Sequence, residues 1–222
     1  MRIVDLSVTV TSDTKGPPST DVRVLLEPKH RGPGFWQVSH IYESLHTGAH
    51  VDSPLHCFAD GAAILETPLD KVIGRGALFD LAHLGANQPV TAAELERADP
   101  GLRAGEMALL HTGWTDMMYG RFPDYFTQSP YLELEAARWL VARQPAAVVF
   151  DFFEEYMARF RDFTSEDFVV HRELLGNGIV IVEGATNMGA LKGTHSIQFF
   201  APFFKLAGTE GAPARLFALV ED

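Results

Sequence analysis

The sequence predicts a mixed α/β fold, one domain in which strands outnumber helices. Its 222 residues suit a single well-buried domain and fall somewhat short of two. Short apolar, β-branched runs recur along the chain, bounded by Gly, Pro, Ser, Thr or Asn. Between them lie a few stretches with helical periodicity and recognisable capping residues.

Ile3, Val4, Leu6, Val8 and Val10 make residues 3–10 a strand. Thr11 to Thr20 is rich in Ser, Thr, Gly and Pro and reads as a loop, followed by a strand over Val22 to Leu26. A further loop from His30 to Gly34 ends on Phe35 and Trp36. Alternation then places Trp36, Val38, His40, Tyr42, Ser44 and His46 on one face of a strand that runs directly into a bend. Past the bend, Phe58-Ala59-Asp60-Gly61 is a turn and Pro68-Leu69-Asp70 a short helical or 3₁₀ segment. Gly76 to Leu81 is an apolar strand. Thr91-Ala92-Ala93-Glu94 is a capping box that starts a helix through about Ala98. Met107 to Leu110 is a buried-type strand ending in His111-Thr112-Gly113-Trp114. Leu132 to Arg143 has helical periodicity, and Ala146 to Phe150 is another buried strand. Thr164 caps a helix running to Leu175, closed by Gly176-Asn177-Gly178. Ile179 to Val182 and Leu216 to Val220 are the remaining strands.

Composition narrows the function classes. Hydrophobic residues make up 46% and charged residues 21%, the balance of a globular protein. A net charge of -11 argues against nucleic acid and anionic membrane as partners, because both need a basic footprint. Cys57 is the one cysteine, so no intrachain disulfide is possible. The opening MRIVDLSVTV reads as a strand carrying Arg2 and Asp5 and not as a signal peptide. No apolar run approaches the ~20 residues of a membrane span. A cytoplasmic protein is expected.

The densest chemistry lies at residues 46–56, His46-Thr47-Gly48-Ala49-His50-Val51-Asp52-Ser53-Pro54-Leu55-His56. Imidazole nitrogen and carboxylate oxygen are ligands of zinc and other divalent transition metals. A single histidine is more often a hydrogen-bonded core or surface residue. Three histidines and an aspartate at this spacing favour a metal. In an extended strand, at ~3.3 Å per residue, His46 and His56 would lie too far apart for one ion. A helix would pair His46 with His50 and Asp52 with His56 on different faces, and Pro54 would break it. Gly48 and Pro54 therefore point to a strand that curls into a loop with its ligands converging inside the bend.

His171 and Glu183 form a second candidate group. His171 shares a helical face with Phe168 and Leu175 and should point inward. Glu183 follows Ile179 to Val182, at the C-terminal end of a buried strand, where sites in α/β folds gather. The pair could complete a metal shell or hold a second ion. By spacing alone, a core histidine bonded to a strand-end glutamate is the commoner arrangement. Two ions would share a bridging group, and Asp52 has the two oxygens required.

A bound divalent ion lowers the pKa of a water toward ~7 and polarises a carbonyl, which suits hydrolysis of an amide, lactam or ester. Such a reaction needs a proton carrier, and His56, set off from the other donors by Pro54, is the candidate. It could equally be a fourth ligand. Phe35, Trp36, Phe58, Trp114, Phe152 and Phe153 are candidates to wall a pocket for a flat, aromatic small molecule. Met117 to Phe126 could act as a lid bending at Gly120 and Pro123. Cys57 reads as a small buried hydrophobe, not a nucleophile.

These residues resemble a known family. The run from His46 to His56 is similar to the H-x-G-T-H-x-D-x-P-x-H signature of the metal-dependent cyclase family, which includes bacterial kynurenine formamidase and isatin hydrolase. Asp60-Gly61, Thr112-Gly113-Trp114, the His171 to Glu183 pair, Ala201-Pro202 and Gly211 to Arg215 extend the likeness over nearly the whole chain. The resemblance implies a compact, single-domain "swivelling" β/β/α fold with a mixed sheet, assembled as homodimers or homotetramers. It implies that His46, His50 and Asp52 bind one ion, zinc or manganese, and that His171 and Glu183 bind a second with Asp52 bridging. His56 is implied as the catalytic acid/base. Two positions depart from the pattern. Ala49 stands where the family usually has Thr. Asp151-Phe152-Phe153-Glu154-Glu155 stands where the formamidases and isatin hydrolases carry an Asp-Thr-x-Ser-type segment. The resemblance thus carries a reaction class and leaves the substrate open.

Three functions compete at this level: an amidohydrolase acting on a small amide, formamide or cyclic lactam; a cyclase or dehydratase working through a metal-stabilised enolate; and a ligand-binding protein with a structural ion. Structural zinc sites are closed, four-coordinate and cysteine-rich, which these donors are not.

Overall fold

The computed structural model describes residues 1–221. In chain order the strands are β1 (Arg2–Asp5), β2 (Leu25–Arg31), β3 (Trp36–Tyr42), β4 (His50–Asp52), β5 (Ile73–Asp80), β6 (Pro89–Val90) and β7 (Met107–His111). They continue as β8 (Tyr131–Leu132), β9 (Ala147–Phe150), β10 (Val180–Glu183), β11 (Ser196–Phe200), β12 (Gly211–Pro213) and β13 (Phe217–Glu221). The α-helices are α1 (Ala92–Ala98), α2 (Trp114–Met118), α3 (Asp124–Thr127), α4 (Leu134–Arg143) and α5 (Val169–Gly176). Among the described residues no helix is long and apolar enough to cross a membrane.

Among the described residues, nine strands form one mixed sheet in the order β1-β13-β11-β5-β7-β9-β10-β4-β12. Its centre is parallel, β5 to β7 to β9 to β10, and its flanks are antiparallel. The central strands are continuous apolar runs because both their faces are covered. Ala108, Leu110, Val148, Phe150 and Ile181 pack on one face against Ala136, Ala137 and Leu140 of α4 and Leu174 and Leu175 of α5. The alternate residues Met107, Leu109, Val149 and Val182 face Val4, Val51, Phe199, Ala212 and Ala218. The second core is therefore walled by the ends of the same sheet, which curls over itself. This is the mixed-sheet α/β fold the sequence implies.

Local signals hold where the energetics are local. Thr91 Oγ1 accepts from the Glu94 amide and α1 follows as expected. Other segments differ from expectation. The first strand stops at Asp5, and the next residues make only an isolated bridge between Ser7 and Ala185. Thr164 caps a 3₁₀ turn, with α5 starting later, at Val169. The expected strand from Trp36 to His46 ends at Tyr42 and pairs with β2 in a separate hairpin whose residues are exposed on both faces. Phe35 and Trp36, expected to wall the pocket, lie near its tip and are 84% and 58% exposed. Alternation located a strand there but could not say that neither face is buried within this chain.

Candidate metal centre

β4 is short and fully buried, and its pleat sorts its residues. Val51 turns into the second core, while His50 and Asp52 share the opposite face. The antiparallel register sets Glu183 of β10 beside His50 and Ile181 beside Asp52. Ahead of β4 the chain turns through Gly48 at φ +65°, which brings His46 back over the strand. Gly184 is required here. Its φ is +70°, and a Cβ on it would stand 2.2 Å from the Gly48 carbonyl oxygen. After β4, a 3₁₀ turn over Pro54–His56 carries His56 to the same side. Ala49 alternates with His50 and belongs to the core, and its carbonyl accepts from the Ala214 amide at 2.9 Å.

The donor atoms converge. His46 Nδ1 is 2.8 Å from Asp52 Oδ1, and His50 Nε2 is 3.5 Å from both Asp52 Oδ1 and Glu183 Oε2. On the far side, His171 Nε2 lies 3.1 Å from Glu183 Oε1, 3.5 Å from Glu154 Oε1 and 3.7 Å from Asp52 Oδ2. Three overlapping groups result: His46, Asp52 and His56; His50, Asp52 and Glu183; and Glu154, His171 and Glu183. Ligands ~2.1 Å from one ion at tetrahedral angles stand about 3.4 Å apart, close to most of these separations. Among the described residues, Asp52 Oδ2 and both Glu154 carboxylate oxygens are buried with no N–H or hydroxyl donor against them, while His46 Nδ1 lies against Asp52 Oδ1. Buried carboxylates and imidazoles this close, with more acceptor oxygens than donors to meet them, fit a divalent ion held between them.

Outer contacts orient the imidazoles. His50 Nδ1 stands 2.9 Å from the Gly48 carbonyl, His46 Nε2 3.2 Å from Glu210 Oε1, and His171 Nδ1 3.2 Å from Glu155 Oε2. With each outer nitrogen donating to oxygen, the inner nitrogen is the one turned to the centre, where an ion would displace the proton that the surrounding carboxylates otherwise hold on His46 and His171. His56 is held differently. Its ring stacks on His46 at 4.0 Å and meets Phe168 and His171 edge-on, and among the described residues no hydrogen bond fixes it.

Charge explains the titration pattern. Burial pushes His46 down, but Asp52, Glu210 and Glu183 outweigh it and raise it to about 10. Burial likewise opposes ionisation of Asp52, and the facing His50 and His46 overcome it, so its carboxyl is held well below the usual range. Burial lowers His56 to about 4, with the Asp52 charge only partly opposing, so its imidazole is neutral at pH 7. Burial, reinforced by the nearby Glu183 charge, pushes Glu154 well up. Burial raises the Cys57 thiol to about 11, which keeps it protonated at pH 7.

Above the centre opens a cavity of about 220 Å³, floored by His46, His50, His56, His171 and Glu183. Phe126, Phe153, Phe163 and Phe168 wall it, and Pro17, Thr20 and Val22 of the N-terminal loop close one side. Phe152 joins Phe153 and Tyr119 around an adjoining smaller cavity. Trp114 is not a wall. It is 4% exposed in the core, with its indole N–H donating to the Tyr125 carbonyl at 2.8 Å. Phe58 packs beneath Arg172 at the outer end of α5. The segment from Met117 to Phe126 is not a free lid. Tyr125 and Phe126 are buried, and Tyr125 Oη bonds Thr115 at 3.1 Å. Sequence reasoning missed Glu154, Glu155 and Glu210. Two of them sit in the acidic stretch already noted as a departure, and Glu210 directly precedes the Gly211-Ala212-Pro213 motif.

Residues 4–154 match the family model described as "Putative cyclase". The chain belongs to the cyclase family. Among curated cyclase-family relatives, the kynurenine formamidase of Geobacillus thermodenitrificans is 26% identical over 82% of this chain and 79% of its own length. That of Bacillus mycoides is 24% identical over the same shares. Isatin hydrolase A from Labrenzia aggregata superposes with a TM-score of 0.80 over 100% of this chain and 94% of its own, at 24% identity. Isatin hydrolase A from Ralstonia solanacearum gives 0.82 over 99% and 92%, at 20% identity. These likenesses below 25% speak for the fold.

Proposed function

We propose that this cyclase-family chain is a metal-dependent amidohydrolase that cleaves a C–N bond of a small amide, formamide or cyclic lactam bearing an aromatic part. The observation carrying this reading is the cavity whose floor is the donor cluster and whose walls are phenylalanines. Its about 220 Å³ is below the ~300–1,000 Å³ of pockets for drug-sized ligands, leaving room for about one ring and its amide. His46, His50 and Asp52 would hold one divalent ion, zinc or manganese, and His171 and Glu183, with Asp52 shared, a second. Such an ion supplies Lewis acidity and activates water near pH ~7. Phe153, Phe163 and Phe168 orient the ring and exclude bulk water, and His56 takes a proton at its free ring nitrogen and returns it to the departing nitrogen. Support also comes from the formamidase and isatin-hydrolase names borne by the relatives.

Chain purified without added metal is expected to contain divalent ion by elemental analysis and to hydrolyse at least one member of a panel of formanilides, lactams and imides. Chelation should abolish turnover while the circular-dichroism spectrum persists. Metal-replete protein inert toward the whole panel would sink the hydrolase reading, and unfolding on chelation would favour a structural ion.

We further propose that the chain works as a homodimer or homotetramer. An isolated two-stranded hairpin is marginal in water, yet β2 and β3 expose Leu25, Leu26, Trp36, Ile41 and Tyr42 together. A second copy covering that surface accounts for its composition. Light scattering after size exclusion should give a mass of two or four chains, reduced by Trp36→Glu. A monomeric parent chain at micromolar concentration rules the assembly out.

A further inference from the structure

Glu154 occupies a constrained position just beyond β9. On one side Asp151 anchors the segment, accepting from the Thr112 amide, Thr112 Oγ1 and the Gly113 amide at 2.7–2.8 Å. On the other, Glu155 Oε2 accepts from the Val170 and His171 amides at 3.0 and 3.2 Å and so ties the segment to the start of α5. Glu154 itself gives its carbonyl to the Leu132 amide at 3.0 Å. Its side chain has little freedom to leave, is 0% exposed, and reaches to 3.5 Å from His171 Nε2. Among the described residues no N–H or hydroxyl donor meets either carboxylate oxygen, and the group beside it is the Glu183 carboxyl. A buried carboxylate stays charged only when a cation or donors compensate it.

We propose that Glu154 is a metal ligand, joining His171, Glu183 and the Oδ2 side of Asp52 in a carboxylate-rich group that adjoins, through Asp52 and Glu183, the imidazole-rich side of His46 and His50. This rests on the reading of the cluster as a metal centre and deepens it. Donor type separates the two groups. Imidazole suits zinc, whereas a set dominated by carboxylate oxygen suits harder ions such as manganese. The two positions therefore differ in selectivity, and an ion at the second one is held by residues from β4, β9–α5 and β10 at once.

The test is Mn²⁺ titration of the metal-depleted full chain followed by electron paramagnetic resonance, with zinc content measured in parallel. The parent chain should take up two ions. Glu154→Gln, which keeps shape and loses charge, should keep one ion and weaken the other by at least ~10-fold, the scale of metal-site perturbations. Glu154→Asp, which keeps charge but withdraws it by one methylene, should weaken the same ion and leave the first alone, and it serves should the glutamine variant not fold. Two ions bound by both variants with parent-like affinity overturn the proposal, as a carboxyl that merely shares a proton with Glu183 would give. A parent chain holding one ion, insensitive to both substitutions, also overturns it. A parent chain holding none overturns the metal-centre reading as well.

Discussion

Asp52→Ala is expected to strip the chain of divalent ion and to lower kcat/KM by at least ~10³-fold, the upper scale seen when one electrostatic stabiliser is removed from an active site. Asp52 belongs to two of the three donor groups. Its Oδ1 faces His46 and His50, and its Oδ2 faces His171. Removing it takes an oxygen from both positions at once, and β4, paired on both edges by β10 and β12, keeps its backbone in place without it. Gly211 sits opposite, where a Cβ would be 3.3 Å from Asp52 Oδ1, so the cleared space is bounded by backbone. The metal-to-protein ratio by mass spectrometry, with circular dichroism to verify folding, checks this. A ratio unchanged from the parent chain ends the bridging role, and a fall of one ion confines Asp52 to a single position.

What the sequence made legible followed from how local each cause is. The convergence of His46, His50 and Asp52 could be read because a turn at Gly48 and a two-residue pleat bring them together, and both are short-range effects. His171 and Glu183 could be read as inward-facing, but their meeting depends on α5 packing behind β10, and only the resemblance linked them to Asp52. Glu154 had no such signal. It follows a strand end without any periodicity, and its inward aim comes from Asp151 and Glu155 bonding to elements distant in sequence. The aromatics divide by the same rule. Phe153 lines the cavity from that pinned segment, whereas Trp36 obeys the alternation of a strand whose faces meet nothing in its own chain. Trp114 follows Gly113 at φ +77° and is turned under Tyr125, a placement decided by tertiary packing.

His56→Ala should retain most of the bound metal and lose about 10²–10⁴ in kcat, the range attributed to a positioned proton carrier. The four imidazoles of the site are not held alike. His46, His50 and His171 each have an outer nitrogen fixed by an oxygen, the arrangement that turns the inner nitrogen toward the proposed metal centre. His56 lacks that tether among the described residues and rests between the rings of His46 and Phe168. Its neighbours also determine its charge. Burial, together with the flanking His46 and His171, outweighs Asp52 and keeps it neutral at pH 7. The discriminating measurement pairs metal content with single-turnover kinetics. Full metal with slow chemistry fits the carrier role, and restored turnover on adding imidazole would strengthen it. Loss of the ion makes His56 a ligand in the group it forms with His46 and Asp52, and the proton must then travel by another residue.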